Sequence, residues 1–292
     1  MANKPALLNL KTDLEWLYRT PSLMADTPRF SAFMPSQDVS LLPDLPYVPA
    51  EPPAYRLGKQ FETTVEALFC GPQSTGRLLR NIPLTHHKRT VGELDLVYET
   101  AEETVHLELA IKFYLLNGSA QQLEHFIGPG GRDRLDKKWR RLITHQLPLG
   151  QSALSASKLT QLGFDTPTRS CFLMPGILFY PRAQWQSITA LHPAINPNHR
   201  RGWWLHNDQL ASQTDLNNAK FMILAKPYWL AGPAHFSSAE RADRLVSWAH
   251  IIALRSQCHE PLMLAEMENQ DGEWTEKSRA MVVSNSWPDR KK

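Results

Sequence analysis

Residues 92–115, GELDLVYETAEETVHLELAIKFYL, constrain the fold more than any other stretch of this chain. Apolar and polar residues alternate on both sides of the turn TAEET, and alternation is the period of a strand, not of a helix. The segment therefore predicts two strands, 92–99 and 104–115, joined as an antiparallel hairpin. RLLRNIPLT, near 77–85, predicts a third strand just ahead of them. Before that, RLGKQFETTVEALF (56–69) repeats Leu57, Phe61, Val65 and Leu68 at helical spacing, with Glu62 and Glu66 one turn apart beside the apolar stripe. After a loop containing GPGGR, DRLDKKWRRLITHQL (133–147) predicts an amphipathic helix. Its buried face is Leu135, Trp139, Leu142, Ile143 and Leu147, and Asp133 and Asp136 supply a cap and a favourable charge at its start. CFLMPGILFY, from Cys171, is the best buried strand. From residue 56 the order is helix, three strands, helix, strand.

The flanking regions are read from their breakers and periodicity. DLEWLYRTPSLM (13–24) predicts a short helix interrupted before Pro21. Seven prolines in the 26 residues 28–53 exclude helix or central strand there. The interleaved Phe30, Phe33, Leu41, Leu42 and Tyr47 suit an arm laid against the protein surface. Beyond residue 183, strands are predicted at 202–206, 220–226, 261–267 and 279–284. A long helix opens with Ser237 and Glu240 in capping-box register and runs through AERADRLVSWAHIIALR. The expected organisation is an N-terminal helix and arm (1–55), a core (56–182) and a C-terminal α/β extension (183–292), the last either a second unit or more of the same sheet.

Composition excludes several classes. Cys70, Cys171 and Cys258 lie far apart, which suits neither a structural zinc site nor a disulfide framework and fits a reducing cytoplasm. The longest apolar run is about half the ~20 residues that a membrane span needs. A net charge of +3 does not by itself identify a nucleic-acid binder, because clustering of charge decides that. No GxSxG, Walker A, GxGxxG or HxxxH spacing occurs.

Chemistry concentrates in the hairpin. Alternation places Glu93 and Asp95 on one side of their strand, and Glu108, Ala110 and Lys112 on one side of the next. If the strands pair, carboxylates and one ammonium face each other. That set suits Mg²⁺ or Mn²⁺ and the activation of water for phosphodiester hydrolysis; a cross-strand salt bridge on an exposed face is the plainer alternative. Arg134, Lys138, Arg141 and His145 recur at spacings of four, three and four, a basic face for phosphates or simply a solvated one. Lys59 and Glu62 are spaced to pair with each other. His199, Arg200, Arg201, Trp203 and Trp204 read first as a core strand with a basic start.

These residues resemble the PD-(D/E)XK nuclease superfamily over residues 56–182. The resemblance implies a restriction-endonuclease-like α/β core, a mixed sheet flanked by helices. It aligns Asp95 with the first metal-binding acid, Lys112 with the motif lysine, Glu62 with an accessory acid and Gln146 with a polar residue after the lysine strand. Ala110 stands where the motif has its second acid, and Glu108, ~6–7 Å back along the strand, is read as that acid displaced. DLEWLYRTPSL, RLGKQFE, GELD, LELAIKFYL, GPGGRDRLDKKWRRLITHQL and RGWW together resemble the uncharacterised bacterial domain-of-unknown-function family 1853 along the whole chain. The implied function is a divalent-metal-dependent nuclease for DNA or RNA. Asp95 and Glu108 would hold Mg²⁺ or Mn²⁺ with help from the Ile111 carbonyl, Lys112 would orient water, and Glu62 would assist. Arg134, Lys138, Arg141 and Gln146 would meet the nucleic acid. The alternative is a catalytically inactive copy serving as a nucleic-acid or protein binding module.

Overall fold

A computed structural model describes residues 10–33, 56–69, 76–256, 258 and 260–289. Most of the proline-rich arm lies outside the described residues. Helix α1 (Leu10–Arg19) ends before Pro21 and buries Leu14, Trp16 and Leu17. Of the arm, Phe30 is buried and Ser31–Ala32 forms a two-residue strand, β1. Helix α2 (Leu57–Phe69) follows, then β2 (Arg77–His86), β3 (Arg89–Glu99) and β4 (Thr104–Leu109). The three strands form an antiparallel meander.

The predicted strand 104–115 is broken. β4 ends at Leu109 and β5 (Lys112–Leu116) begins after Ala110 and Ile111. β6 (Phe126–Ile127) comes next, then α3 (Leu135–Arg141), a π turn over Leu142–Gln146, α4 (Leu147–Leu149) and α5 (Ala153–Gln161). The run CFLMPGILFY is broken in the same way, into β7 (Arg169–Leu173) and β8 (Gly176–Pro181). β4 pairs in parallel with β7, and β5 in parallel with β8. The two breaks lie side by side: the Ala110 N–H donates to the Leu173 carbonyl at 3.0 Å and the Lys112 N–H to the Pro175 carbonyl at 3.2 Å.

At this seam both strands leave one sheet and enter another. The first sheet has five strands, ordered β1-β7-β4-β3-β2. The second contains β5, β6 and β8 together with strands from the C-terminal region: β9 (Arg201–His206), β10 (Lys220–Leu224), β11 (Val246–Ser247), β12 (Leu262–Gln270) and β13 (Glu273–Val283), in the order β11-β10-β12-β13-β9-β8-β5-β6. The predicted long helix is two helices, α6 (Ser238–Asp243) and α7 (Trp248–Arg255), parted by β11. Val246 and Ser247 pair with β10, and the Ser247 hydroxyl accepts the His250 N–H to cap α7. The predicted capping box of Ser237 and Glu240 starts α6.

The architecture is α/β, with mixed sheets flanked by helices. Trp16, Leu17, Phe61 and Val65 of α1 and α2 pack on Leu96, Val105 and Leu107 of the first sheet. Leu135, Trp139 and Leu142 of the α3 region close over the seam, against Ala110, Tyr114, Phe172 and Met174. Among the described residues no helix is long and apolar enough to cross a membrane.

Candidate functional site

β3 and β4 part company at the seam, and the site forms in the fork between them. Their ladder runs from Glu99 opposite Thr104 to Leu96 opposite Leu107, so the next pair in register is Asp95 and Glu108. Past that point β4 turns toward the second sheet. The Leu109 N–H, left without a strand partner, donates to Asp95 Oδ2 at 2.8 Å. Burial, then the charge of Glu108, pushes the Asp95 carboxyl up to about 7. The Leu109 N–H and the Lys138 ammonium oppose that rise, and Glu62 adds to it. Solvent reaches Asp95 through a crevice of about 10 Å³ between Glu62, Glu66, Arg80, Asn81 and Leu109, room for roughly one water.

Glu108 is sealed, with 1 % of its surface exposed. One oxygen lies 3.0 Å from His106 Nε2, and the other accepts from Gln146 Nε2. His106 is itself fully buried, with Nδ1 3.1 Å from the Ser170 hydroxyl. A carboxylate only accepts, so an ionised Glu108 fixes the proton on His106 Nε2 and leaves Nδ1 to accept from Ser170. Gly150 presses on this pair, because a side chain there would overlap both His106 Nδ1 and Ser170 Oγ.

The helix side of the site depends on the π turn. At about 100° per residue, a straight α-helix would set His145 nearly under Lys138, and Gln146 about 80° away. The π turn inserts a residue into the spacing and turns the next one inward. Gln146 thus lines up with Lys138, which donates to Gln146 Oε1 at 3.1 Å, while His145 is exposed. Burial, then the Lys112 charge, lowers the proton affinity of Lys138; Glu108 and Asp95 act in the opposite sense.

The structure thus gathers Asp95, Glu108, Lys138 and Gln146, with Glu62 within electrostatic reach. Glu62 itself pairs with Lys59 at 3.0 Å. Lys112 begins β5, beyond the break, and its Nζ donates to Asp133 Oδ2 at 2.6 Å. Ala110 is 8 % exposed and belongs to the apolar cluster with Trp139. The expected aspartate cap of α3 is not made: Arg134 is the N-cap residue and makes no side-chain capping bond, and its guanidinium pairs with Asp136 at 2.9 and 2.6 Å. Arg141 is exposed. The HRRGWW segment is core: His199 is buried between Tyr180 and Asn196, and Trp203 and Trp204 are buried. Sequence reasoning missed His106 and Ser170, although His106 lies two residues before Glu108 and so on the same strand face.

Among the described residues no group of three or more His, Cys, Asp or Glu side chains converges as a metal centre. A family model described as Domain of unknown function (DUF1853) matches residues 12–283. The chain belongs to this family. The DUF1853 span runs from within α1 to the last residue of β13 and contains every residue of the fork. No curated protein and no solved structure matches the chain.

Proposed function

We propose that the fork is a divalent-metal-dependent phosphodiesterase site acting on nucleic acid, arranged as in the PD-(D/E)XK nucleases. The observation that carries this reading is the register of Asp95 with Glu108 where β3 and β4 diverge, with Lys138 coupled to both. The element order supports it: α2, the meander β2–β3–β4, the α3 region, then β7 parallel to β4. In this reading Glu108 is the motif's acid in its ordinary place opposite Asp95. Ala110, two residues on, occupies the lysine position, and the ammonium comes instead from Lys138 on α3.

The donor set fits a hard cation. Asp95 Oδ1 has no hydrogen-bond partner among the described residues, and the partly buried Asp95 stands beside the sealed Glu108 with the Lys138 ammonium coupled to both. Mg²⁺ and Mn²⁺ take oxygen ligands, and Mg²⁺ typically uses one or two carboxylates, with water and phosphate completing the shell. Asp95 and Glu108 would hold the ion, which when bound polarises a phosphoryl oxygen and acidifies a water. His106 and Gln146 fix the Glu108 carboxylate. Lys138 balances the negative charge of the pair and presents an ammonium to the attacking water or the phosphate.

A second reading, a nuclease-like fold serving as a binding module, is favoured by the burial of Glu108 with both oxygens hydrogen-bonded. Cleavage of plasmid, linear and single-stranded substrates with Mg²⁺ or Mn²⁺ separates the two. Asp95→Asn, Glu108→Gln and Lys138→Met should each lower the rate by on the order of 100-fold with folding retained. Lys112→Met, which removes the pair with Asp133 and a like charge that opposes the Lys138 ammonium without removing any group of the fork, should stay within a few-fold of wild type. Equal activity in all variants would move the chemistry elsewhere, and a wild type that neither cleaves nor binds Mn²⁺ would leave the binding module.

A further inference from the structure

Between Glu66 and Glu93 the sequence contains no acidic residue, yet it carries Arg77, Arg80, Lys88 and Arg89, with His86 and His87. Arg77 is neutralised by Glu99 and Arg80 by Glu66. Lys88 and Arg89 have no acidic partner among the described residues. The charge left over is therefore concentrated at the tip of the β2–β3 hairpin.

That tip stands clear of the body. The hairpin is packed as far as the pair Leu84 and Gly92, where Leu84 is fully buried and Gly92 lies against Leu149. Beyond it, residues 85–91 are all exposed. Three residues per strand at ~3.4 Å each make a ribbon projecting by roughly 10 Å. His87 and Lys88 form the two-residue turn with φ of 47° and 60°. Such turns favour asparagine and glycine; here the strained positions add basic groups at the apex.

We infer that this ribbon seats in the major groove of B-form duplex DNA and leads it to the fork, an inference that rests on the nucleic-acid reading of that site. The groove is ~12 Å wide and ~8.5 Å deep and admits a two-stranded ribbon, whereas the deep, narrow major groove of A-form RNA does not. Basic side chains continue from the tip toward the site. Exposed His145 lies 3.8 Å from the position a Gly92 side chain would take, and the exposed Arg141 is felt electrostatically at Lys138. Glu93, exposed at the hairpin base, bounds the basic surface. Arg89 precedes Asp95 by six residues of one strand, roughly 20 Å. At ~3.4 Å per base pair that is about six base pairs, so duplex gripped at the tip spans the distance to the carboxylates.

The test is fluorescence anisotropy of a short labelled DNA duplex with the full chain in EDTA, across a salt titration, for wild type and Lys88→Ala/Arg89→Ala. The double variant should bind the duplex about tenfold more weakly, and its log K against log salt should be shallower by about 1.8, ~0.9 for each phosphate that is no longer neutralised. Its melting temperature should match wild type, because Lys88 and Arg89 are exposed and pair with no acid among the described residues. Unchanged affinity and slope, equal binding of an RNA duplex, or no duplex binding by wild type would each overturn the inference. Cleavage by Asp95→Asn, measured separately, reports on the carboxylates. Hairpin-dependent binding without Asp95-dependent cleavage sinks the site reading alone, and the converse sinks only the docking.

Discussion

Asp95 sits where three demands conflict: it must accept the orphaned Leu109 N–H, stay partly buried, and share the fork with Glu108. Burial and the second carboxylate outweigh the hydrogen bond and Lys138, so the folded protein holds this proton to about pH 7 while the unfolded chain releases it near 3.8. The sign follows from linkage. Below pH ~4 the group is protonated in both states and costs nothing; as pH rises toward 7 the unfolded state alone ionises, and native stability falls, levelling off above 7. The penalty is bounded at roughly 4 kcal/mol. Asp95→Asn should therefore melt progressively higher relative to wild type as pH goes from 4 to 8. Mg²⁺ or Mn²⁺ added to wild type at pH 8 should close most of that gap, because an ion at the site replaces the proton. A melting difference that does not vary with pH would mean the carboxyl is already ionised at pH 4 and the fork is not charge-strained.

At the scale of elements, local pattern made the helix α2, the strands that follow it with the β3–β4 hairpin, and the capping box of α6 legible, because each is set by residues within a turn or two. The break in LELAIKFYL was not legible. Its alternation continues through Ala110 and Ile111, and the interruption is imposed by the neighbouring strand, where Pro175 has no N–H to extend a ladder. For that reason the sequence pattern places Lys112 in the same strand as Glu108. The π turn is hidden likewise: the spacing of Arg134, Lys138, Arg141 and His145 is a good α pattern, whereas in the structure Leu142 and Leu147, at the two ends of the π turn, are both buried in the same cluster. Gln146, which the resemblance aligns with a polar residue after the lysine strand, donates to Glu108. The straight-helix and π geometries make opposite predictions. Gln146→Ala should weaken Mn²⁺ affinity, measured by calorimetry, by about 10- to 100-fold, the usual cost of losing a group that orients a ligand. His145→Ala should leave it unchanged. The reverse order would put His145 under Lys138 and remove the π turn from the explanation of the site.

Across the whole molecule the seam joins the two sheets, since β4 of the first runs on into β5 of the second, and β7 into β8 beside it. The C-terminal strands could be recognised one by one, but their membership of the sheet containing β5 and β8 rests on parallel pairings of β9 with β8 and β13, between segments distant in sequence. Gly176 is the tightest point of the seam. Its φ is 154°, and a β-carbon there would overlap the Lys112 carbonyl oxygen and meet Leu23 Cδ1 at 3.2 Å. The obstacle is the backbone of the strand with which Gly176 pairs, so no side-chain rotation relieves it. Gly163 is the matched control: its φ is 75°, but nothing lies within 4 Å of its would-be side chain. Gly163→Ala should cost only the left-handed backbone penalty, about 1–2 kcal/mol. Gly176→Ala should cost about 3 kcal/mol or more, because it adds steric overlap to strain. The displaced Lys112 backbone also lies three residues from Leu109, whose N–H ties Asp95 into the fork. Gly176→Ala should consequently lose Mn²⁺ affinity under conditions where it is still folded, whereas Gly163→Ala should not. Equal urea midpoints for the two variants would show that the sheets tolerate separation at the seam, and that the fork is held by the first sheet alone.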